Sequence, residues 1–285
     1  MSTNYAQALG IRSVAPAVIF AILYFPLIPI FMLKLRKGIT RLPIVLSVFC
    51  TIRVAVFIIR AIVASSSTVG NNIDVLIAEA VLVSIGFFGL LFGAYGLVVD
   101  RLNLCAPAPT NPLFRLIRNQ RVYHLIALVA VILSIVASTN TTSSHPTEED
   151  VELGKTLKEA STIIFLILTV LQTFQTITLV QAERSRSVSE SRPSSFGSKY
   201  VSSILLLLSC MLLVREVFST ATMTDPLKAN NEKFWYPLVA LPEFICAVLY
   251  AVPGVIPDPD EVKRTEESLR LPIYSGVAGR ASPSQ

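Results

Sequence analysis

Hydrophobic and polar positions along this chain fall into long blocks rather than a short-period alternation. Seven stretches stay apolar for close to the roughly 20 residues of helix needed to cross a hydrocarbon core about 30 Å thick. They are Val14 to Leu33, Leu42 to Ala64, Ile73 to Val99, Val122 to Ser138, Ser161 to Gln181, Tyr200 to Ser219 and Phe234 to Ile256. None alternates with period two. Backbone in hydrocarbon must satisfy its own hydrogen bonds, so each stretch predicts a helix rather than a barrel strand. The expected fold class is all-α, a polytopic seven-transmembrane helix bundle over residues 14–256. A short outer segment (1–13) precedes it, and a polar, proline-containing tail (257–285) follows and is expected to be disordered. The first stretch reads as an uncleaved span, because its positive charges (Lys34, Arg36, Lys37) follow the apolar run where a signal peptide carries them ahead of it.

Lys and Arg in the connections set the expected orientation. Of the 24 in the chain, sixteen lie after the first, third, fifth and seventh stretches, five lie on the other side and three lie inside stretches. The N-terminus is therefore expected outside or in a lumen and the C-terminus in the cytosol. The one N-x-S/T sequon, at Asn140, falls in a connection this topology places outside, which makes Asn140 a candidate glycosylation site. The same connection carries Glu148, Glu149, Asp150 and Glu152 and reads as a solvated acidic loop. On the cytosolic side, the serine-rich run from Glu183 to Lys199 places serines beside arginines, a pattern that suits basophilic kinases.

Composition narrows the function. Hydrophobic residues make up 53% of the chain and charged ones 15%, against roughly 25% charged in a soluble domain. Mean hydropathy is +0.64. A soluble enzyme, a disordered protein and a disulfide scaffold are excluded. The net charge of +5 follows from membrane topology and does not point to nucleic acid as a partner. Of the four cysteines, Cys50, Cys210 and Cys246 lie in stretches and Cys105 in a cytosolic connection, so no outer disulfide can form. The two histidines, His124 and His145, are too few for a three-histidine zinc site. No lysine lies in the seventh stretch for a retinal Schiff base. There is no P-loop, dinucleotide fingerprint or nucleophile elbow. The chain is expected to be non-enzymatic, with no cofactor and no metal.

Ionisable groups inside spans are expensive and mark interior or water-facing positions. Six stand out: Arg53 and Arg60, Glu79, Arg215 and Glu216, and Glu243. Arg53 and Arg60 are seven apart and share a helix face. Arg60 and Glu79 fall at matching depth and are expected to pair. Arg53 and Glu243 are expected to pair near mid-depth, with Arg215 nearer the surface. Two readings follow: an outward-facing pocket for a small molecule, ion or lipid headgroup, or an ion-pair network that only fixes helix register. Gly89 and Gly93 form a G-x-x-x-G pair that allows close packing within the bundle or a homodimer. Pro26 and Pro29 are expected to kink the first helix, and Pro242 and Pro253 the seventh.

The run L-L-S-C-M-L-L-V-R-E-V-F-S (Leu207 to Ser219) and the closing F-W-Y-P-L-V-A-L-P-E-F-I-C-A-V-L-Y-A-V-P-G-V (Phe234 to Val255) resemble a fungal seven-helix integral membrane family of unknown function. The resemblance implies Arg215 and Glu243 as characteristic membrane positions. In layout the chain is also similar to RTA-like lipid-translocating exporters, although it lacks their glycine-tyrosine-x-x-arginine run and their late histidine-proline. Asp100-Arg101 gives a weaker likeness to G-protein-coupled receptors, with no N-P-x-x-Y equivalent in the seventh stretch. The expected function is a multi-pass membrane protein of sensor or receptor type, in the plasma membrane or an endomembrane. A lipid-handling protein or transporter and a structural scaffold are the alternatives.

Overall fold

A computed structural model describes residues 10–37, 41–105, 115, 118–141, 147–186 and 200–256. Among them the chain is all-helical and contains no strand. Seven helices are long and apolar enough to cross a membrane: α1 (Val14–Arg36), α2 (Leu42–Ser65), α3 (Ile73–Asn103), α4 (Gln120–Asn140), α5 (Glu148–Arg184), α6 (Val201–Ala221) and α7 (Glu232–Ala251). They mark a multi-pass membrane protein.

Each helix packs against the next in sequence, and α7 closes the ring by touching the second half of α1. Helix α3 runs through the middle and meets α2, α4, α5, α6 and α7. Its glycines permit this. A methyl on Gly89 would lie 3.5 Å from Val45, and one on Gly93 would lie 2.6 Å from Leu42 and 3.5 Å from the Tyr250 hydroxyl. The G-x-x-x-G pair is thus used inside the bundle, against α2 and α7, so the expectation of a homodimer through Gly89 and Gly93 has no support here. Helix α2 shows the two-faced pattern most clearly. Leu46, Phe49, Cys50, Arg53, Phe57 and Arg60 are buried at helical spacing, while Val48, Ile58 and Ile62 face outward.

Helix α5 is longer than the apolar run that predicts it, beginning at Glu148 rather than Ser161. The acidic stretch read as a loop is its first turns. Thr147 and Asp150 cap one another, with the Asp150 N–H donating to Thr147 Oγ1 at 3.2 Å and the Thr147 N–H to Asp150 Oδ2 at 3.2 Å. Glu148, Glu149 and Asp150 meet the positive end of the helix dipole. Helix α1 breaks at Phe25–Pro26 into Val14–Tyr24 and Leu27–Lys37, whereas Pro29 lies in the second piece without breaking it. Pro253 lies beyond the end of α7 and kinks nothing.

The opposite disturbance occurs in α7. Tyr236–Ala240 form a wide turn, in which the Leu241 N–H donates to the Tyr236 carbonyl five residues back. Pro237 is its second residue and Pro242 lies just beyond it. A proline ring meets the carbonyl four residues earlier in an α-helix and supplies no N–H, and the wide turn relieves this conflict at Pro242.

Candidate functional site in the buried charges

All six ionisable residues singled out in the spans are 1–7% exposed. They lie toward the end of the bundle where the chain enters α1, termed here the entry face. Arg53 Nη2 donates to Glu243 Oε1 at 2.7 Å and to the Val83 carbonyl at 3.1 Å, tying α2 to α7 and α3. Arg215 Nε lies 3.3 Å from the same Glu243 oxygen, and Arg215 Nη1 donates to Glu216 Oε2 at 2.5 Å. Glu243 is thus shared by two arginines from different helices. About two helical turns toward the entry face, Arg60 Nη1 donates to Glu79 Oε1 at 2.6 Å. Three cations and three anions balance within the cluster.

Each guanidinium also lies against an aromatic face. The Arg60 carbon is 3.9 Å from the Trp235 ring centre and 5.7 Å from that of Tyr236, and Arg215 is 3.8 Å from Phe87. Arg53 is 5.3 Å from Phe49. These contacts matter because a desolvated cation gains most from a ring quadrupole where water cannot compete. Gly86 on α3 makes room for Arg53, since a methyl there would approach the guanidinium carbon to 3.0 Å. Rings and backbone thus fill the surroundings of these charges, and the outward-facing pocket expected from the sequence has no support here.

The network is closed but not saturated. Arg53 Nε and Arg60 Nε are buried and have no hydrogen-bond partner. A guanidinium presents five donors, and buried donors left unsatisfied are rare enough that each calls for an explanation.

A second polar cluster, farther from the entry face, escaped the reading of charges because it carries none. Gln172 Nε2 on α5 donates to Ser209 Oγ on α6 at 2.9 Å, and Thr176 Oγ1 lies 2.9 Å from the same hydroxyl. Gln175 Nε2 donates to the Tyr95 hydroxyl on α3 at 3.3 Å, and Tyr95 stacks on Tyr123 of α4 at 3.5 Å. Its sequence signal was the polar run at Gln172, Thr173, Gln175 and Thr176 within an otherwise apolar stretch.

Asn140 lies partly buried at the end of α4, whereas Thr142 of its sequon falls outside the described residues. So do residues 187–199, most of the serine-rich run, along with His145 and the tail from 257. Cys50 and Cys246 are buried free thiols. Among the described residues no cluster of His, Cys, Asp or Glu could hold a metal ion.

The comparison with family models decides the relationship. Residues 13–256 match the model for a domain of unknown function, DUF7702, which takes in all seven helices. The chain belongs to the DUF7702 family. No curated protein and no solved structure matches it. The DUF7702 match begins at Ser13, at the head of α1, and ends at Ile256, just beyond α7, so the whole charge network lies within the family's domain.

Proposed function

We propose that this is a non-enzymatic, receptor-like membrane protein whose buried charge network responds to an acceptor-bearing ligand, a lipid headgroup or a small anion, in the outer half of the bundle. The observation that carries the reading is the combination of a carboxylate shared by Arg53 and Arg215 with buried guanidinium donors at Arg53 and Arg60 that lack acceptors. Buried ion pairs contribute little net stability compared with well-packed apolar residues. A bundle needing only to pack would be served as well without them. Buried N–H groups without acceptors carry a desolvation cost, which a ligand oxygen reaching them would relieve. The bias of Lys and Arg to one side supports an orientation in which the entry face is outside and the C-terminus cytosolic.

The test is what the protein retains. Wild type and an Arg53→Met/Glu243→Leu variant, purified under the same mild conditions, are compared by untargeted mass spectrometry of bound lipids and small molecules. A species held by wild type and lost from the variant supports the reading, and its chemistry separates a lipid headgroup from a free anion. Identical profiles would return the network to a purely structural role, as in a scaffold.

A further inference from the structure

The arginines of α2 are seven residues apart, yet the α7 residues that meet them, Trp235 and Glu243, are eight apart. In a regular α-helix each residue advances about 100°, so positions seven apart lie within about 20° of one direction while positions eight apart diverge by about 80°. The wide turn at Tyr236–Ala240 absorbs one residue. It makes Trp235 and Glu243 seven apart in phase, and both then face α2. The alignment of α7 on the network thus depends on one irregular turn.

Closing that turn to an α-turn, with Glu243 held on Arg53, would rotate the outer end of α7 by about one residue's share of a turn, about 100°. Every side chain before the turn then takes the direction of its predecessor. Trp235, now 7% exposed, moves to the direction of Phe234, which is 53% exposed on the outside of the bundle. Tyr236 takes the place of Trp235 over Arg60, to which it already lies 5.7 Å away. The run Phe234-Trp235-Tyr236 therefore supplies Arg60 with an aromatic face in either state, so the rotation does not strip a buried cation of its cover.

With the wide turn in place, the head of α7 makes one further contact. Glu232 Oε1 accepts the backbone N–H groups of Arg12 at 2.7 Å and Ser13 at 2.8 Å, joining the residues ahead of α1 to the head of α7. The rotation would carry Glu232 away from them.

We propose that the wide turn of α7 is a two-state switch, in which closure to an α-turn swings Trp235 off Arg60 toward lipid, and that the Glu232 contact with residues 12–13 holds it in the observed state. A ligand or partner acting on the N-terminal segment would shift the populations through its different contacts in the two states. The switch does not depend on the identity of any ligand. Its failure would leave the retention experiment above untouched.

Trp235 is the only tryptophan in the chain, so its fluorescence reads the switch directly in the full-length protein reconstituted into nanodiscs containing brominated phosphatidylcholine, which quenches indoles that contact acyl chains. Pro242→Ala removes the ring that opposes the α-turn and should raise quenching at least twofold over wild type. Deleting Leu238 removes the extra residue, so an α-turn then keeps Trp235 over Arg60. The deletion combined with Pro242→Ala should return quenching to the wild-type level. Glu232→Ala, at the entry face, removes the acceptor and should also raise quenching, and the same deletion should cancel the rise. Wild-type quenching in Pro242→Ala, or a rise that persists with Leu238 deleted, overturns the switch. Should Pro242→Ala fail to assemble, the Glu232→Ala pair with and without the deletion decides by the same criteria. Unchanged quenching in Glu232→Ala overturns the role of the N-terminal contact.

Discussion

A guanidinium buried in a bundle has to find both counter-charge and cover, and the glycines of α3 show how narrowly this is met. Gly86→Ala would press a methyl to 3.0 Å from the carbon of Arg53, which is pinned by Glu243 and Val83. The expected cost is about 1–3 kcal/mol, the usual penalty of overpacking, read as a fall in thermal midpoint in detergent. Gly96→Ala is the control. Nothing lies within 4 Å of its added methyl, so the better helix propensity of alanine should leave the protein neutral or slightly more stable. Arg60 and Glu79 provide a second residue-scale test. Either alanine substitution alone strands a buried charge and should destabilise, and a double-mutant cycle should show coupling on the order of 1 kcal/mol. Strict additivity would mean that the 2.6 Å contact does not form. The six charges were legible in the sequence because each interrupts an apolar run. Their cover was not, since Phe49, Phe87 and Trp235 look like ordinary lipid-span aromatics until the helices are placed. The Gln172–Ser209 cluster was missed for a related reason: uncharged polar residues are common in spans and give no depth-matched partner to search for.

Helices ended where their caps dictate rather than where hydropathy fades. The apolar run predicts α5 from Ser161, but the reciprocal Thr147–Asp150 cap carries the helix back to Glu148. Thr147→Ala should cost about 1 kcal/mol of local helix stability. It should appear as faster amide hydrogen exchange across residues 148–156, with the buried part of α5 unchanged. Equal exchange in wild type and variant would mean that this extension is held by something other than its cap. Helix α7 shows the same limit from the other side. Pro242 marked a disturbance in the sequence, yet a proline can kink, break or widen a helix, and only the placement of Trp235 and Glu243 against α2 distinguishes these. The glycine spacing on α3 was equally readable and equally ambiguous. Close approach was implied, and the partner proved to be α2 and α7 of the same chain.

For the molecule as a whole, seven apolar helices mark a multi-pass membrane protein, and the DUF7702 match spans all seven. The charge bias adds an expectation about sidedness. A protease-sensitive tag before Met1 should be cleaved from outside sealed cells or from the lumenal side of microsomes, and a tag after Gln285 only once the membrane is opened. Cleavage of both from one side would contradict an odd number of spans. If the buried network does more than hold the fold, replacing its mid-depth pair will show it. In cells lacking the protein, wild type and Arg53→Met/Glu243→Leu are expressed at matched levels, and localisation is scored together with rescue of the deletion phenotype. Removing both charges avoids stranding either one, so the double variant should fold and reach its membrane. Normal localisation with loss of rescue is the expected result. Normal localisation with full rescue would leave the network a structural part only.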